Sequence, residues 1–221
     1  MNNLAIIPAR GGSVRLPRKN IKKINGKPLI GWVIEAALTS RIFDDVIVST
    51  EDEEIAKIAS EYGASVHVRS VDLATSTSKV VDVCLDVLRK NKCETFCCIY
   101  PTAALIEDKD LQNSYALYCV EKPSVLISTA NFNFSPFEAL VKNSEGFLEF
   151  FNSDFLGVQS QFFPEVQVDA GAFYWADRIS FENRKTFFQK ELLGYTIDEL
   201  KACDINTQAD FDKLKRLLNA G

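Results

Sequence analysis

The chain has one histidine in 221 residues, His67, and no Cys-x-x-Cys pair among its six cysteines (Cys84, Cys93, Cys97, Cys98, Cys119, Cys203). A zinc site built on several His ligands is thereby excluded, and any Ser-His-Asp or Cys-His relay would have to run through that single residue. Its setting in Ser65-Val66-His67-Val68, in the middle of an apolar run, predicts a structural role instead. Cys97 and Cys98 stand side by side in Phe96-Cys97-Cys98-Ile99, which predicts reduced thiols packed as small hydrophobes rather than disulfides or zinc ligands. No apolar run approaches the roughly 18 to 20 residues that cross a bilayer. The start, Met1-Asn2-Asn3-Leu4, leads into Pro8 and Arg10 without a cleavable signal pattern, so the expectation is a cytoplasmic protein with no membrane partner. With 47% apolar residues, 25% charged residues, 10 Gly and 7 Pro, collagen-like and disordered classes are excluded as well. One globular domain spanning residues 1–221 is expected.

The most informative absence is local. From Arg10 to Lys27 there is no acidic residue, yet seven basic ones occur: Arg10, Arg15, Arg18, Lys19, Lys22, Lys23 and Lys27. Elsewhere 18 of the 25 Lys and Arg face all 30 Asp and Glu, a balance of −12. Wholesale nucleic-acid binding is disfavoured by that balance. The basic stretch contains Gly11-Gly12, Ser13 and Pro17 and follows an apolar strand, so it reads as a loop whose backbone can approach an anion closely. A polyanion site is the expectation, against the plainer reading of a solvated positive face.

Leu4–Ile7, Val46–Thr50, Ala64–Arg69, Thr95–Tyr100 and Val125–Thr129 read as strands, the first two as continuous apolar runs of a sheet buried on both faces. Between them, helices are predicted over Pro28–Ser40, from a Thr50 cap through the acidic turn Glu51–Glu54 to Tyr62-Gly63, over Ser78–Lys90 and over Lys109–Val120. Such alternation implies βαβ crossovers and a parallel sheet, with ligands beyond the carboxyl ends of its strands. The basic loop and Pro101-Thr102 both fall there. After Asn131 the rhythm breaks. Residues 131–168 carry Phe132, Phe134, Phe137, Phe147, Phe150, Phe151, Phe155, Phe162 and Phe163, punctuated by turn residues, which predicts an inserted β-hairpin. Those rings either cover a subunit interface or pad the main core. Ala170–Ala176 resumes as a strand, and Gln208–Leu218 is a terminal helix.

Ile7-Pro8-Ala9-Arg10-Gly11-Gly12-Ser13 is neither a Walker pattern nor Gly-x-Gly-x-x-Gly, but it keeps the logic of a phosphate cradle. Together with Leu16-Pro17-Arg18-Lys19-Asn20 and Gly26-Lys27-Pro28-Leu29-Ile30 it resembles the cytidylyltransferases that activate nine-carbon sugar acids as CMP conjugates. Phe43–Thr50, Val68-Arg69 and Asp204-Ile205-Asn206-Thr207 agree with that family. Cys97–Ala103, Ser160-Gln161, Pro164-Glu165, Asp169-Ala170-Gly171 and Phe173-Tyr174-Trp175 are most similar to its pseudaminic acid branch. Departures are Val14 for the usual Lys, Ala104 for Pro, Gln159 for Arg, Val168 for His, Ser76 where an acid is common and Ala172 where Gln is common.

The resemblance implies an α/β, three-layer, Rossmann-like, mostly parallel sheet of the nucleotidyltransferase or glycosyltransferase-A type, with residues 131–168 as a dimerisation hairpin. It implies a homodimer that takes CTP and a nonulosonic acid, with Mg²⁺ or another divalent cation, and releases pyrophosphate. The expected catalytic residues are Arg10, Lys19 and Asp204. Ala9, Arg10, Gly11, Gly12, Ser13, Lys19, Asn20, Arg69 and Thr77 are expected on the nucleotide, and Tyr100, Pro101, Thr102, Gln161 and Asp169 on the sugar acid. Asp204 and Asn206 are the expected metal residues, Asn206 offering only a neutral oxygen. Asp204 could instead be a helix cap upstream of Thr207, and Tyr100 could be buried core. A legionaminic, N-acetylneuraminic or epimeric acid as substrate, or a weakly active nucleotide-binding subunit, are the competing readings.

Overall fold

In a computed structural model, which describes residues 2–220, one sheet organises the chain. In chain order the elements are β1 (Asn3–Pro8), the two-residue strands β2 (Lys23–Ile24) and β3 (Lys27–Pro28), α1 (Leu29–Ser40), β4 (Asp45–Thr50), α2 (Glu53–Glu61), β5 (Ser65–Val68) and α3 (Val80–Lys90). There follow β6 (Thr95–Ile99), α4 (Asp108–Glu121), β7 (Val125–Asn131), the arm strands β8 (Leu140–Lys142) and β9 (Leu148–Phe150), β10 (Gln167–Asp177), α5 (Arg178–Arg184), β11 (Leu192–Thr196) and α6 (Gln208–Ala220). Among the described residues no helix is long and apolar enough to cross a membrane.

Seven strands join in the order β11-β7-β10-β6-β1-β4-β5. All neighbours run parallel except β10, which is antiparallel to both β6 and β7. Alternate residues of each strand feed two separate cores, which is why the inner strands are apolar throughout. Ala5, Ile7, Val46, Val48, Cys97 and Ile99 pack with Ile30, Val33, Ile34, Ile55 and Leu111 of α1, α2 and α4. Leu4, Ile6, Ile47, Phe96 and Cys98 pack with Cys84, Val87, Leu88 and Phe181 of α3 and α5. The adjacent thiols Cys97 and Cys98 thus face opposite layers, and burial pushes both far up in pKa, as suits free, unreactive core thiols. His67 is buried, its Nε2 2.8 Å from Asp86 Oδ2, tying β5 to α3.

Several local expectations are corrected. The cap of α2 is Asp52, whose Oδ1 accepts the Ile55 amide at 3.0 Å. Thr50 Oγ1 instead accepts the Asp52 amide, one turn earlier. The third helix begins at Val80 rather than Ser78. Neither α5 nor β11 was expected.

β10 carries a bulge between Asp169 and Tyr174, turned by Gly171 at φ 62°. The amides of Ala172 and Phe173 lose their ladder partners there, and the buried Ser128 Oγ accepts both at 3.1 Å. The bulge thereby brings Asp169, paired with Thr129 at its near edge, within hydrogen-bond reach of Tyr174.

The expected arm is present as the antiparallel pair β8 and β9. Phe137, Phe155 and Phe163 stack on one another with centroids 4.3 to 5.5 Å apart. Phe134, Phe147, Phe151 and Phe162 are exposed, and no arm phenylalanine belongs to the buried clusters. The reading that these rings pad the main core is thereby set aside.

Candidate active site

From β1 the chain moves outward to β4 and β5, then returns to place β6 on the other side of β1. A crevice opens beyond the carboxyl ends of two such neighbours because their connections leave in opposite directions. The residues following Pro8 and Ile99 supply its walls. A cleft of about 210 Å³ is lined by Pro8, Arg10, Ser13, Lys19, Asn20, Val80, Tyr100, Pro101, Thr102 and Asp204. Residues separated by almost 200 positions meet here.

The basic loop is held by a short helical turn over Lys19–Ile21, entered through Arg18 in the left-handed region at φ 56°. Leu16, Ile24 and Leu29 anchor it in a third core with Ile205, Phe211 and Leu214. The same core therefore seats the late Asp204–Thr207 motif beside the loop. Lys19 Nζ donates to the Ile205 carbonyl at 2.6 Å, and Arg15 donates to Asn206 Oδ1 at 2.5 Å. Desolvation lowers the Lys19 pKa, with Arg15 and Arg10 adding to the fall and Asp204 opposing it. Asn20 is 4% exposed; its Nδ2 donates to the Arg10 carbonyl at 3.0 Å, while its buried Oδ1 has no partner. A buried acceptor on a cleft wall calls for a donor from whatever fills the cleft.

Asn206 donates to the Asp204 carboxylate. The reciprocal cap at the start of α6 is Thr207 with Asp210: Asp210 Oδ2 accepts the Thr207 amide at 2.7 Å, and Thr207 Oγ1 accepts the Asp210 amide at 3.3 Å. Capping therefore does not employ Asp204. Among the described residues no three His, Cys, Asp or Glu gather into a cation cage. Asp204 is the one carboxylate lining the cleft, and this suits a hard cation such as Mg²⁺, which takes one or two carboxylates and completes its shell with phosphate oxygens and water.

Tyr100 is half-buried and serves core and cleft together. Its ring lies 5.4 Å from that of Tyr174, whose hydroxyl donates to Asp169 Oδ2 at 2.8 Å. Burial raises both phenol pKa values. Asp169 thus adjoins the cleft through two tyrosines. Gln161 stands apart on the exposed arm, donating to Gln159 Oε1 at 3.0 Å.

Arg69 is buried behind the loop and donates to the Ser49 and Leu73 carbonyls at 2.9 and 3.3 Å. Thr77 is exposed, its hydroxyl 3.1 Å from that of Thr75, whose carbonyl takes Arg10 Nη1 at 2.9 Å. Ala9 is wholly buried, and Gly11 and Gly12 do not line the cleft. The Gly11 amide donates to Glu51 Oε1 at 2.7 Å rather than facing the opening. A Cβ on Gly11 would come 2.4 Å from Asp52 Oδ2, so close approach to the β4–α2 turn is what demands glycine there; Gly12 has open space around it. The acidic partners Glu51 and Asp52 were missed because acids opening a helix satisfy its dipole and ask for no further explanation.

Residues 4–152 match the family model described as Cytidylyltransferase. Over 98% of its length the chain is 34% identical to the pseudaminic acid cytidylyltransferase of Campylobacter jejuni, 96% of which is covered. It is 31% identical over 99% of its length to the CMP-N,N'-diacetyllegionaminic acid synthase of Legionella pneumophila, 97% of which is covered. Among solved structures, a CMP:2-keto-3-deoxy-manno-octonic acid synthetase complexed with CTP superposes with a TM-score of 0.76 at 18% identity, covering 100% of this chain and 99% of that one.

Proposed function

The chain belongs to the cytidylyltransferase family, and from that premise we propose that it transfers CMP from CTP to the anomeric hydroxyl of a nine-carbon 2-keto sugar acid, pseudaminic acid in the first instance. The hydroxyl oxygen bonds to the α-phosphorus, the bond from that phosphorus to the bridging oxygen breaks, pyrophosphate leaves and the hydroxyl proton passes to solvent. The convergence of Arg10, Lys19 and Asp204 on one cleft at the carboxyl edge of the sheet is the observation that carries this reading.

Nucleotidyl transfer needs in-line positioning and neutralised charge more than covalent help, which a site without histidine can supply. Arg10 and Lys19 take the triphosphate oxygens, and the unpartnered Asn20 Oδ1 accepts a donor of the nucleoside. Arg69 acts from behind the loop, and Thr77 closes over the nucleotide from the Thr75–Ser78 turn. Pro101 and Thr102 bound the sugar-acid side with Tyr100, and Asp169 holds a sugar hydroxyl; Gln161, tied to Gln159 on the arm, takes no part in this cleft. Asp204 holds the divalent cation, with Asn206 steadying its carboxylate; that cation supplies charge neutralisation at the phosphates when bound.

The arm carries the second part of the proposal, a homodimer. The chain exposes 12251 Å², about a fifth more than the roughly 10,100 Å² expected for a monomer of this mass. Exposed Phe134, Phe147, Phe151 and Phe162 make the arm a surface that a second copy would cover. Legionaminic acid is the second substrate reading, favoured by the Legionella relative.

Incubation with CTP, Mg²⁺ and a panel of pseudaminic, legionaminic, N-acetylneuraminic and epimeric acids, with pyrophosphate as readout, tests the reading. Release above background with pseudaminic acid and preference for it over the others is expected. CTP-dependent thermal stabilisation with no pyrophosphate from any acid would replace this reading with that of a nucleotide-binding subunit.

A further inference from the structure

The turn after β4 meets the basic loop with three carboxylates. Asp52 and Glu54 hold Arg18. Glu51 faces two groups at once: Oε1 accepts the Gly11 amide at 2.7 Å, and Oε2 forms an ion pair with Arg69, 3.3 Å from its Nε, without a hydrogen bond between them. The helix dipole does not account for this carboxylate, because α2 begins at Glu53 and is capped by Asp52. Glu51 is instead turned back across the parallel β1–β4 pair, where Pro8 stands in register with Ser49.

Among the described residues Arg69 has no other carboxylate partner. It is 5% exposed, its Nη1 and Nη2 donate to the Leu73 and Ser49 carbonyls while its buried Nε donates to no acceptor, and burial together with nearby Arg10 disfavours its charge while Glu51 supports it. Without Glu51, the buried Arg69 guanidinium would keep the repulsion of Arg10 and lose its carboxylate partner. The Gly11 amide would lose its acceptor at the point where the loop lies closest to the turn.

The geometry points to Glu51 as a positioning residue for nucleotide binding: one carboxylate fixes the backbone of the Ala9–Ser13 loop through Gly11 and keeps Arg69 seated beneath it. Arg10 and Ser13 thereby stay on the cleft wall. Glu51 does not line the cleft and touches no reacting atom. The inference rests on the reading that this cleft takes CTP. Lys19 and Asp204 are held from the other side, by the Ile205 carbonyl and by Asn206. Loss of Glu51 therefore weakens CTP binding without slowing the transfer step or changing affinity for the sugar acid.

Calorimetric titration of CTP with Mg²⁺ into the wild type, Glu51→Ala and Glu51→Gln, without sugar acid, tests this, followed by steady-state kinetics. Glu51→Ala should lose about tenfold or more in CTP affinity, the scale of a hydrogen bond to a charged group. Its KM for CTP should rise in step, with kcat and the sugar-acid KM within about threefold of wild type. Glu51→Gln keeps an oxygen for the Gly11 amide but no charge for Arg69, and should fall between the two. Wild-type CTP affinity in a folded Glu51→Ala overturns the proposal, and so does a fall in kcat at unchanged CTP affinity. Should the alanine variant fail to fold, Glu51→Gln decides alone: weakened CTP binding supports the proposal and wild-type affinity overturns it. A wild type that binds no CTP would overturn the reading of the cleft, an outcome distinct from binding that the substitutions leave untouched.

Discussion

The cleft and the arm are built on opposite terms. Around the cleft, Asn20, Ile205 and Leu16 are buried, cationic side chains end on carbonyls or carboxylates of this same chain, and two distant segments share one core. On the arm, β8 and β9 are exposed along their whole length, and only Phe137, Phe155 and Phe163 find one another. One region is tied together almost entirely within this chain, Asn20 Oδ1 apart; the other leaves Phe134 88% exposed. The difference teaches that one fold can tie its polar groups together around a concave cleft and still leave an apolar protrusion uncovered.

The comparison breaks most readily at Lys19. Removing one preorganised charged donor costs about 2.7 to 4 kcal/mol of transition-state stabilisation, a factor of about 10² to 10³ in turnover. Lys19→Ala should lose that much CMP-sugar formation while its melting curve stays cooperative, because the anchoring contacts of Leu16, Ile24 and Leu29 are untouched. A variant retaining more than a tenth of the wild-type rate would contradict the role given to Lys19. A smaller effect is expected on the arm. Phe134→Glu with Phe151→Glu should weaken self-association by about 30-fold or more, the scale of losing one interface hot spot, while leaving each chain folded. Sedimentation velocity reads it directly. A wild type that sediments as a monomer at tens of micromolar would remove the arm's proposed partner.

Much of this was legible before the structure. The first 130 residues announce five strands and four helices because strands buried on both faces are unbroken apolar runs and their helices repeat every 3.6 residues. Leu192–Thr196 escaped notice because an edge strand alternates and is half exposed, and α5 is too short to show a period. The antiparallel direction of β10 is not written in its local pattern at all; it follows from which neighbours it joins. In the cleft, Arg10, Ser13 and Lys19 were legible in the basic, glycine-bearing loop after β1 and Pro101 and Thr102 in their place after β6, while Asn20, Tyr100 and Asp204 were legible only through motifs that resemble the family's. Glu51 was not, since its partner Gly11 is 40 positions earlier and meets it only once β1 and β4 are in register.

The smallest expected effect sharpens the comparison on the cleft side, at the tie between Arg18 and Asp52. The Arg18 hydrogen bond holds the Asp52 carboxyl below its usual pKa, with its partial burial opposing and the Ile55 amide assisting. A carboxylate depressed in the folded state contributes stability above its unfolded pKa, near 3.8, and loses it as pH falls through the folded value. Asp52→Asn keeps an equally good helix cap for the Ile55 amide and removes the charge pair. Because the Arg18 side chain is 40% exposed, the loss at neutral pH should be no more than about 1 kcal/mol. Urea unfolding of both proteins should therefore show a nearly constant gap between about pH 5 and 8 that closes below about pH 4 as the wild type loses the same term. A gap that persists undiminished in acid would mean that Asp52 stabilises the turn through packing against Gly11, not through its charge.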